Sequence, residues 1–435
     1  MSTVDDDVDR LHLPHENADE WSRVRALLER PLTSLGALDA LLSELSPATE
    51  RQTCTFFAQL DRAPHAKFDH VAFLQHAVPF MQRVALDLPT LFASPHAVVP
   101  LLLKGRPDAT VTLSRRQVAC LLAHSVFGSI TADAVRVEKK KWAFRAAQLF
   151  FLQANPSTFC VLNYFLQLAT RGVPDGALTY TRLAFPRGCP PWSWDDNPTP
   201  LCAIELLDSG SIYSSPCASQ VAFANKFVGG GCLENDFASE EMLFVTRPEL
   251  IVAMALCSHM IDEDCVLIGG ALPFSATSGY GATFEFEGDV VDALAREPPP
   301  TVVEIDALQG AAKIQFQEGL VRRDLNKARL GFSRCQTLAT GFWGCGAFGN
   351  DHWLKFLQQW LAASDAGVEK VCFYTFGDKR ADGLAGVVQH FAGATVGELW
   401  QAVLAAARQC ATPGPGNSAK FRAAMIERAS PSGQS

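Results

Sequence analysis

Leu35, Leu38, Leu42 and Leu45 recur at helical spacing behind Thr33-Ser34, and Pro47 closes the run. Val71, Leu74, Val78 and Met81 repeat that stripe. Ser114 and Gln117 stand three apart ahead of Val118, Leu121 and Leu122, a capping-box start to a further helix. Phe150 to Leu168 is apolar enough for one or two buried helices. The pattern changes after the proline-rich break Pro186–Pro200. Short β-rich runs now alternate with helical ones: 203–206, 220–224, 265–268, 302–305 and 371–374, with helices predicted over 248–256 and 351–361. Such alternation predicts an α/β fold, a mixed or parallel sheet with helices on both faces. Ligands on sheets of this kind bind at loops beyond the strand carboxyl ends.

With 435 residues, 48% apolar and 19% charged, the chain can bury a large core. The expected organisation is an acidic, disordered segment 1–20, a helical region 21–172, an α/β region 173–410 and a disordered Pro/Gly/Ser-rich tail 411–435. None of the thirteen cysteines forms a C-x-x-C pair or a Cys/His cluster, so no metal site is expected. Cys120, Cys160, Cys202, Cys265 and Cys372 sit in apolar runs and read as small buried hydrophobes in a reducing compartment. Residues 1–10 are acidic and polar, unlike a secretory leader, and the apolar runs are too short to span a membrane. An intracellular protein is expected. A net charge of −9 argues against a general grip on nucleic acid. Lys139-Lys140-Lys141 reads as a solvated helix face or a short localisation signal.

Candidate chemistry gathers in four segments. Gly229, Gly230 and Gly231 let the backbone take positive φ and approach a ligand closely. Their turned amides suit phosphate oxygens, and Ser239-Glu240-Glu241 just beyond offers carboxylates to an attached sugar. A triplet of this kind can equally be a plain turn, and a Glu pair a solvated helix start. The stretch Gly341–Gly349, ahead of a predicted helix, is a second phosphate-binding candidate. It matches neither the Walker A pattern nor G-x-G-x-x-G. Trp343 reads as core, and Phe348, between two small residues, as more open. Tyr280 (in Ser278–Ala282) and Phe376 (in Tyr374–Asp378) place rings at turns, suited either to stacking on adenine or to closing a strand core. The histidines are scattered, and His352 and His390 read as structural.

Taken in order, these segments resemble the poly(ADP-ribose) glycohydrolase family. The resemblance rests on Phe223–Gly231, Glu240-Glu241, Arg247–Leu250, Gly279-Tyr280, Asp324–Ala328, Thr340–Gly349 and Thr375–Asp378, and runs from about residue 31 to 409. It includes Thr112–Ser114 and Gln117 in the helical front part. It implies a macrodomain-like catalytic region behind a helical accessory domain, and hydrolysis of ribose–ribose O-glycosidic bonds without a cofactor. Glu241 matches the general acid and base, and Glu240 and Asn225 match ribose contacts. Gly229, Gly230, Gly231, Gly344, Gly346 and Gly349 would hold the diphosphate. Tyr280 and Phe376 match adenine-stacking positions, Phe348 a ring against the ligand, and Ser239 the first place of the Gln-Glu-Glu motif. The implied partners are poly(ADP-ribose) and ADP-ribosylated proteins in the nucleus or cytoplasm, as in the DNA damage response, met by a monomer.

Departures mark the binding shell. Ser239 replaces a glutamine, Ala222 an aspartate and Phe342 an asparagine, and Glu234 and Asp236 acidify a loop that is usually small and uncharged. These favour an ADP-ribose reader or pseudoenzyme. The retained Glu240 and Glu241 favour an active glycohydrolase, which stands first because a reader needs no general acid.

Overall fold

The computed structural model describes residues 10–45, 55–93, 98–106, 108–130, 155–185, 192–233, 237–290, 298–310 and 312–429. The Lys139–Lys141 run and the Glu234–Asp236 loop lie outside these residues, as do 1–9 and 430–435.

Helices α1 (Ala18–Leu28), α2 (Leu35–Leu45), α3 (Phe56–Arg62), α4 (Val78–Leu86), α5 (Arg115–Phe127) and α6 (Pro156–Arg171) fill the front half. In α2 the four leucines of the predicted stripe are all buried. At the start of α5, Ser114 Oγ accepts from Gln117 N at 3.2 Å and Gln117 Oε1 accepts from Ser114 N at 2.8 Å, the capping box read from sequence. Val71 leaves its predicted face. A π turn, Phe73–Ala77, inserts an extra residue and rotates the stripe, so Phe73, Val78 and Met81 are buried while Val71 is 51% exposed.

Eight strands form one sheet: β1 (Ala109–Ser114), β2 (Ala177–Ala184), β3 (Ala203–Leu207), β4 (Ser219–Ala224), β5 (Asp264–Gly269), β6 (Thr301–Asp306), β7 (Thr337–Gly341) and β8 (Lys370–Tyr374). Their order is β1-β2-β5-β6-β4-β7-β8-β3. The block β6-β4-β7-β8-β3 is parallel, and β5, β2 and β1 extend it antiparallel. All five strands expected from the β-rich runs are present. Ala222, Ala224, Val266 and Val302 face the front helices, together with α7 (Ser239–Thr246). Val221, Leu267, Val303, Ile305 and Phe373 face α8 (Glu318–Phe332), α9 (His352–Asp365) and α10 (Val396–Gln409). The alternation of side chains along each strand therefore builds helices onto both faces, as expected. Among the described residues, no helix is long and apolar enough to cross a membrane.

Three expectations are corrected. The helical front half also supplies β1, where buried Val111 and Leu113 alternate with Thr110 and Thr112 at strand period. Residues 10–20 are ordered: Arg10–Leu11 pairs with Val99–Pro100, and Leu11 and Leu13 are buried. The tail carries helix α11 (Asn417–Ala429), because Phe421, Ala424 and Met425 recur at helical spacing behind the Pro/Gly-rich turn and are buried. The Phe421 ring packs at a tilt against Phe316, with centroids 5.1 Å apart. Phe421→Ala should lower stability by about 3 kcal/mol in urea unfolding; an unchanged midpoint would return the tail to disorder.

Candidate active site

Within the parallel block, the carboxyl ends of β4, β7, β8 and β3 open into a cleft of about 620 Å3. Its wall includes Ser211–Tyr213, Asn225, Ser239, Glu240, Glu241, Tyr280, Gly344, Gly346, Phe348 and Phe376. Most of the residues singled out from sequence thus meet at one site.

The glycine triplet is placed differently from its expected role. Gly229 N donates to Glu240 Oε1 at 2.7 Å, Gly231 N to Glu241 Oε1 at 3.0 Å, and Gly230 N to Phe227 O at 2.9 Å. The other Glu240 oxygen accepts from Asn225 N at 2.7 Å. All three glycine amides are therefore engaged inside the protein, and the expected diphosphate grip by Gly229, Gly230 and Gly231 is not available in this arrangement. The glycines are needed for a different reason. Gly229 and Gly230 have φ of +86° and +50°, and a Cβ on Gly230 would collide with Glu241 and lie 2.9 Å from Glu240 Oε2.

The Glu pair opens α7, as a solvated helix start would, but both residues are buried, at 2% and 6% exposure. A third carboxyl group joins them. Glu304, fully buried in central strand β6, lies opposite Ala222 in the parallel register with β4. Burial pushes the Glu240 carboxyl well above the usual range, and Glu304 and Glu241 push it further, against the pull of its two amides. Burial likewise raises Glu304, to about 8. The sequence reading took Val302–Ile305 only as a strand. The available signal was a charged residue inside an apolar central strand, where charges are rare unless paired.

The second loop is arranged differently from the first. Gly349 N donates to Gly346 O at 3.0 Å, so Gly349 closes the turn instead of facing the ligand space. Among the described residues, no acceptor takes the amides of Gly346, Ala347 and Phe348. Gly344 holds φ of +74°, and a Cβ there would press on Ala307 and on Asn350. Trp343 is core as expected, donating from Nε1 to Ile305 O at 2.8 Å.

Tyr280 and Phe376 are 61% and 55% exposed, so neither closes a strand core. Phe376 holds a left-handed backbone, φ +54°, which costs energy for a side chain of this size and points to a ring placed for contact. Asn225 uses its side-chain oxygen on Phe227 N at 3.1 Å, leaving its NH2 as the group that a ligand can meet. Ser239 is fixed by Tyr213, whose hydroxyl donates to Ser239 O at 2.8 Å. Phe342 packs 4.6 Å from the His352 ring and lines the cleft, which gives apolar surface where an amide is expected. His352, Asp378 and Arg380 also line the cleft and were not read as site residues. Arg380 pulls the Asp378 carboxyl down to about 2.

A three-layer α/β domain with an acid-bearing cleft at its strand ends, faced by exposed aromatic rings and a turn of open amides, defines a macrodomain-type site. Residues 191–383 match the family model described as poly(ADP-ribose) glycohydrolase, macro domain fold, and residues 66–182 match the helical domain of the same family. The chain belongs to the poly(ADP-ribose) glycohydrolase family. It is 29% identical over 404 residues to a probable poly(ADP-ribose) glycohydrolase 2 of Arabidopsis thaliana, covering 76% of this chain and 77% of that one. It is 27% identical over 390 residues to poly(ADP-ribose) glycohydrolase 1 of the same plant, covering 70% of each. With poly(ADP-ribose) glycohydrolase 1 of Caenorhabditis elegans the identity is 28% over 286 residues, 57% of this chain and 36% of that one.

Gly230→Ala should destabilise the protein by about 1–3 kcal/mol, from backbone strain and displacement of Glu241. Urea unfolding checks this; a loss below about 0.5 kcal/mol, the scale of a neutral surface change, would contradict the packing described.

Proposed function

We propose that this chain hydrolyses the ribose–ribose O-glycosidic bonds of poly(ADP-ribose), with Glu241 as the acid and base. The observation that carries this reading is Glu241 itself: a buried carboxyl in the cleft wall, with one oxygen held by Gly231 N at 3.0 Å. Glu241 gives its proton to the leaving ribose oxygen as the C–O bond breaks. Water then adds to the oxocarbenium-like carbon and returns a proton to Glu241, so the enzyme is restored and ADP-ribose leaves.

Ordinary glycosidases set two carboxyl groups across the bond. Here Glu240 has both oxygens on backbone amides, so its part is to hold the loop and the adjacent ribose while Glu241 alone exchanges protons. The diphosphate rests on the amides of Gly346, Ala347 and Phe348, and adenine stacks between Tyr280 and Phe376. The Asn225 amide reaches the ribose, and the Phe348 ring flanks it. On this reading the protein works as a monomer on ADP-ribosylated proteins in the nucleus or cytosol.

A second reading, a reader that binds without turnover, draws on Phe342 and its apolar packing against His352. Incubation with poly(ADP-ribose) separates the two. Wild type should release ADP-ribose, whereas Glu241→Gln should lose turnover and keep ADP-ribose affinity within about tenfold by calorimetry, because only proton transfer is removed. Binding without release by the wild type would establish the reader. Undiminished hydrolysis by Glu241→Gln would remove Glu241 from the mechanism.

A further inference from the structure

The cleft wall is richer in acidic than in basic groups. Glu240, Glu241 and Asp378 line it, and among the described residues that do so Arg380 is the one side chain with a permanent positive charge. Burial and the neighbouring Arg380 hold His352 below its ordinary value, against the pull of Asp378, so that ring adds no cation at neutral pH. Each phosphorus of a diphosphate bridge bears a negative charge at that pH. Open amides receive its oxygens but supply only partial charges, while the ionised Asp378 in the same wall repels it. The first loop gives no help, since its amides already serve Glu240 and Glu241. The reading above therefore leaves the ligand's anion without a full counter-charge.

The chain fixes Arg380 beside the second loop. Phe376 and Gly377, both at positive φ, turn the backbone out of β8 into a short turn of helix, Lys379–Ala381. Asp378 caps that turn, its Oδ1 accepting from Arg380 N at 2.9 Å. The same carboxylate takes the side chain. Arg380 Nε donates to Oδ1 and Oδ2 at 2.9 and 3.0 Å, and Nη2 donates to Oδ2 at 2.5 Å. Arg380 O accepts from Trp353 Nε1 at 2.9 Å, and Asp378 Oδ2 lies 3.8 Å from His352 Nε2. His352 and Trp353 open α9 directly behind the second loop, so residues 378–380 are tied to the end of the segment that carries the open amides.

The exposures give this ion pair a direction. The Asp378 side chain is 24% exposed and that of Arg380 65%, so the carboxylate lies beneath and the guanidinium on the solvent side. Among the described residues, no acceptor takes Arg380 Nη1. Nη1 and the outer hydrogen of Nη2 together form the fork that matches phosphate oxygens in pairs. An ion pair this exposed adds little stability, so stability alone gives no reason for its place in the cleft wall. We propose that Arg380 is a substrate-binding residue, paired with the diphosphate of the ADP-ribose unit that rests on the Gly346, Ala347 and Phe348 amides. Asp378 holds the guanidinium in advance, so less side-chain freedom is lost when the ligand arrives.

The inference rests on the glycohydrolase reading for the identity of the ligand, and calorimetry with ADP-ribose separates the two. Arg380→Ala should weaken ADP-ribose binding by about 10- to 100-fold, the scale of a lost charge-assisted hydrogen bond. Wild-type affinity should fall between about 0.1 and 1 M salt, as the screening length shrinks from about 10 to 3 Å, and the affinity of Arg380→Ala should fall less. Arg380→Lys keeps the charge and loses the fork, so it should recover part of the affinity and most of the salt dependence. In poly(ADP-ribose) hydrolysis Arg380→Ala should raise KM with little change in kcat, because the contact is made in the ground state as well as the transition state. Equal ADP-ribose affinity of wild type and Arg380→Ala would overturn the pairing. So would a weaker Arg380→Ala whose salt dependence matches that of wild type, the mark of an arginine that only braces the Phe376 turn. If wild type binds ADP-ribose but releases none from the polymer, the functional reading fails and the calorimetry still decides Arg380. A wild type that binds no ADP-ribose would overturn both.

Discussion

The site depends on a backbone loop gripping two carboxylates. Asn225, Gly229 and Gly231 turn their amides toward Glu240 and Glu241, and three strong bonds of 2.7–3.0 Å join a strand end to the first turn of the next helix. Donors that would otherwise face solvent or phosphate hold acids that would otherwise be costly to bury. Helix α7 has no side-chain cap at Ala238, so its first turn is organised by these contacts with the loop. The favourable end of the helix dipole adds to them.

That grip divides the work between the two glycine loops. The first orients acid, and the second keeps its Gly346, Ala347 and Phe348 amides open to the cleft. Tyr280 and Phe376 then bound the space with exposed rings at opposite loops, Phe376 on a strained backbone. Such a cleft offers separate surfaces for an anionic, a planar and a reactive part of one ligand. Beneath it, Lys355 Nζ lies 4.4 Å from the Trp343 ring and pairs with buried Asp324, so the second loop stands on a charged core.

Much of this was legible in the sequence. The β-rich runs gave five of the sheet's eight strands, β3, β4, β5, β6 and β8, and the motif order gave the cleft-lining Asn225, Ser239, Glu240, Glu241, Tyr280, Phe348 and Phe376. What was hidden needed three dimensions. Amide direction in Gly229–Gly231 follows from φ values that a glycine leaves open, so the loop could as well have served phosphate. Glu304 comes to lie beside Ala222 only through the β6–β4 register, some eighty residues away in sequence. The π turn at Phe73–Ala77 and the helix at Asn417–Ala429 were masked, one by an irregular period and the other by the composition of the turn ahead of it.

The division between the loops is most directly tested by a crystal structure of the protein with ADP-ribose bound. The account predicts phosphate oxygens on the amides of Gly346, Ala347 and Phe348, with Gly229 N and Gly231 N still donating to Glu240 and Glu241. Phosphate seated on the Gly229–Gly231 amides, with either glutamate released, would contradict it.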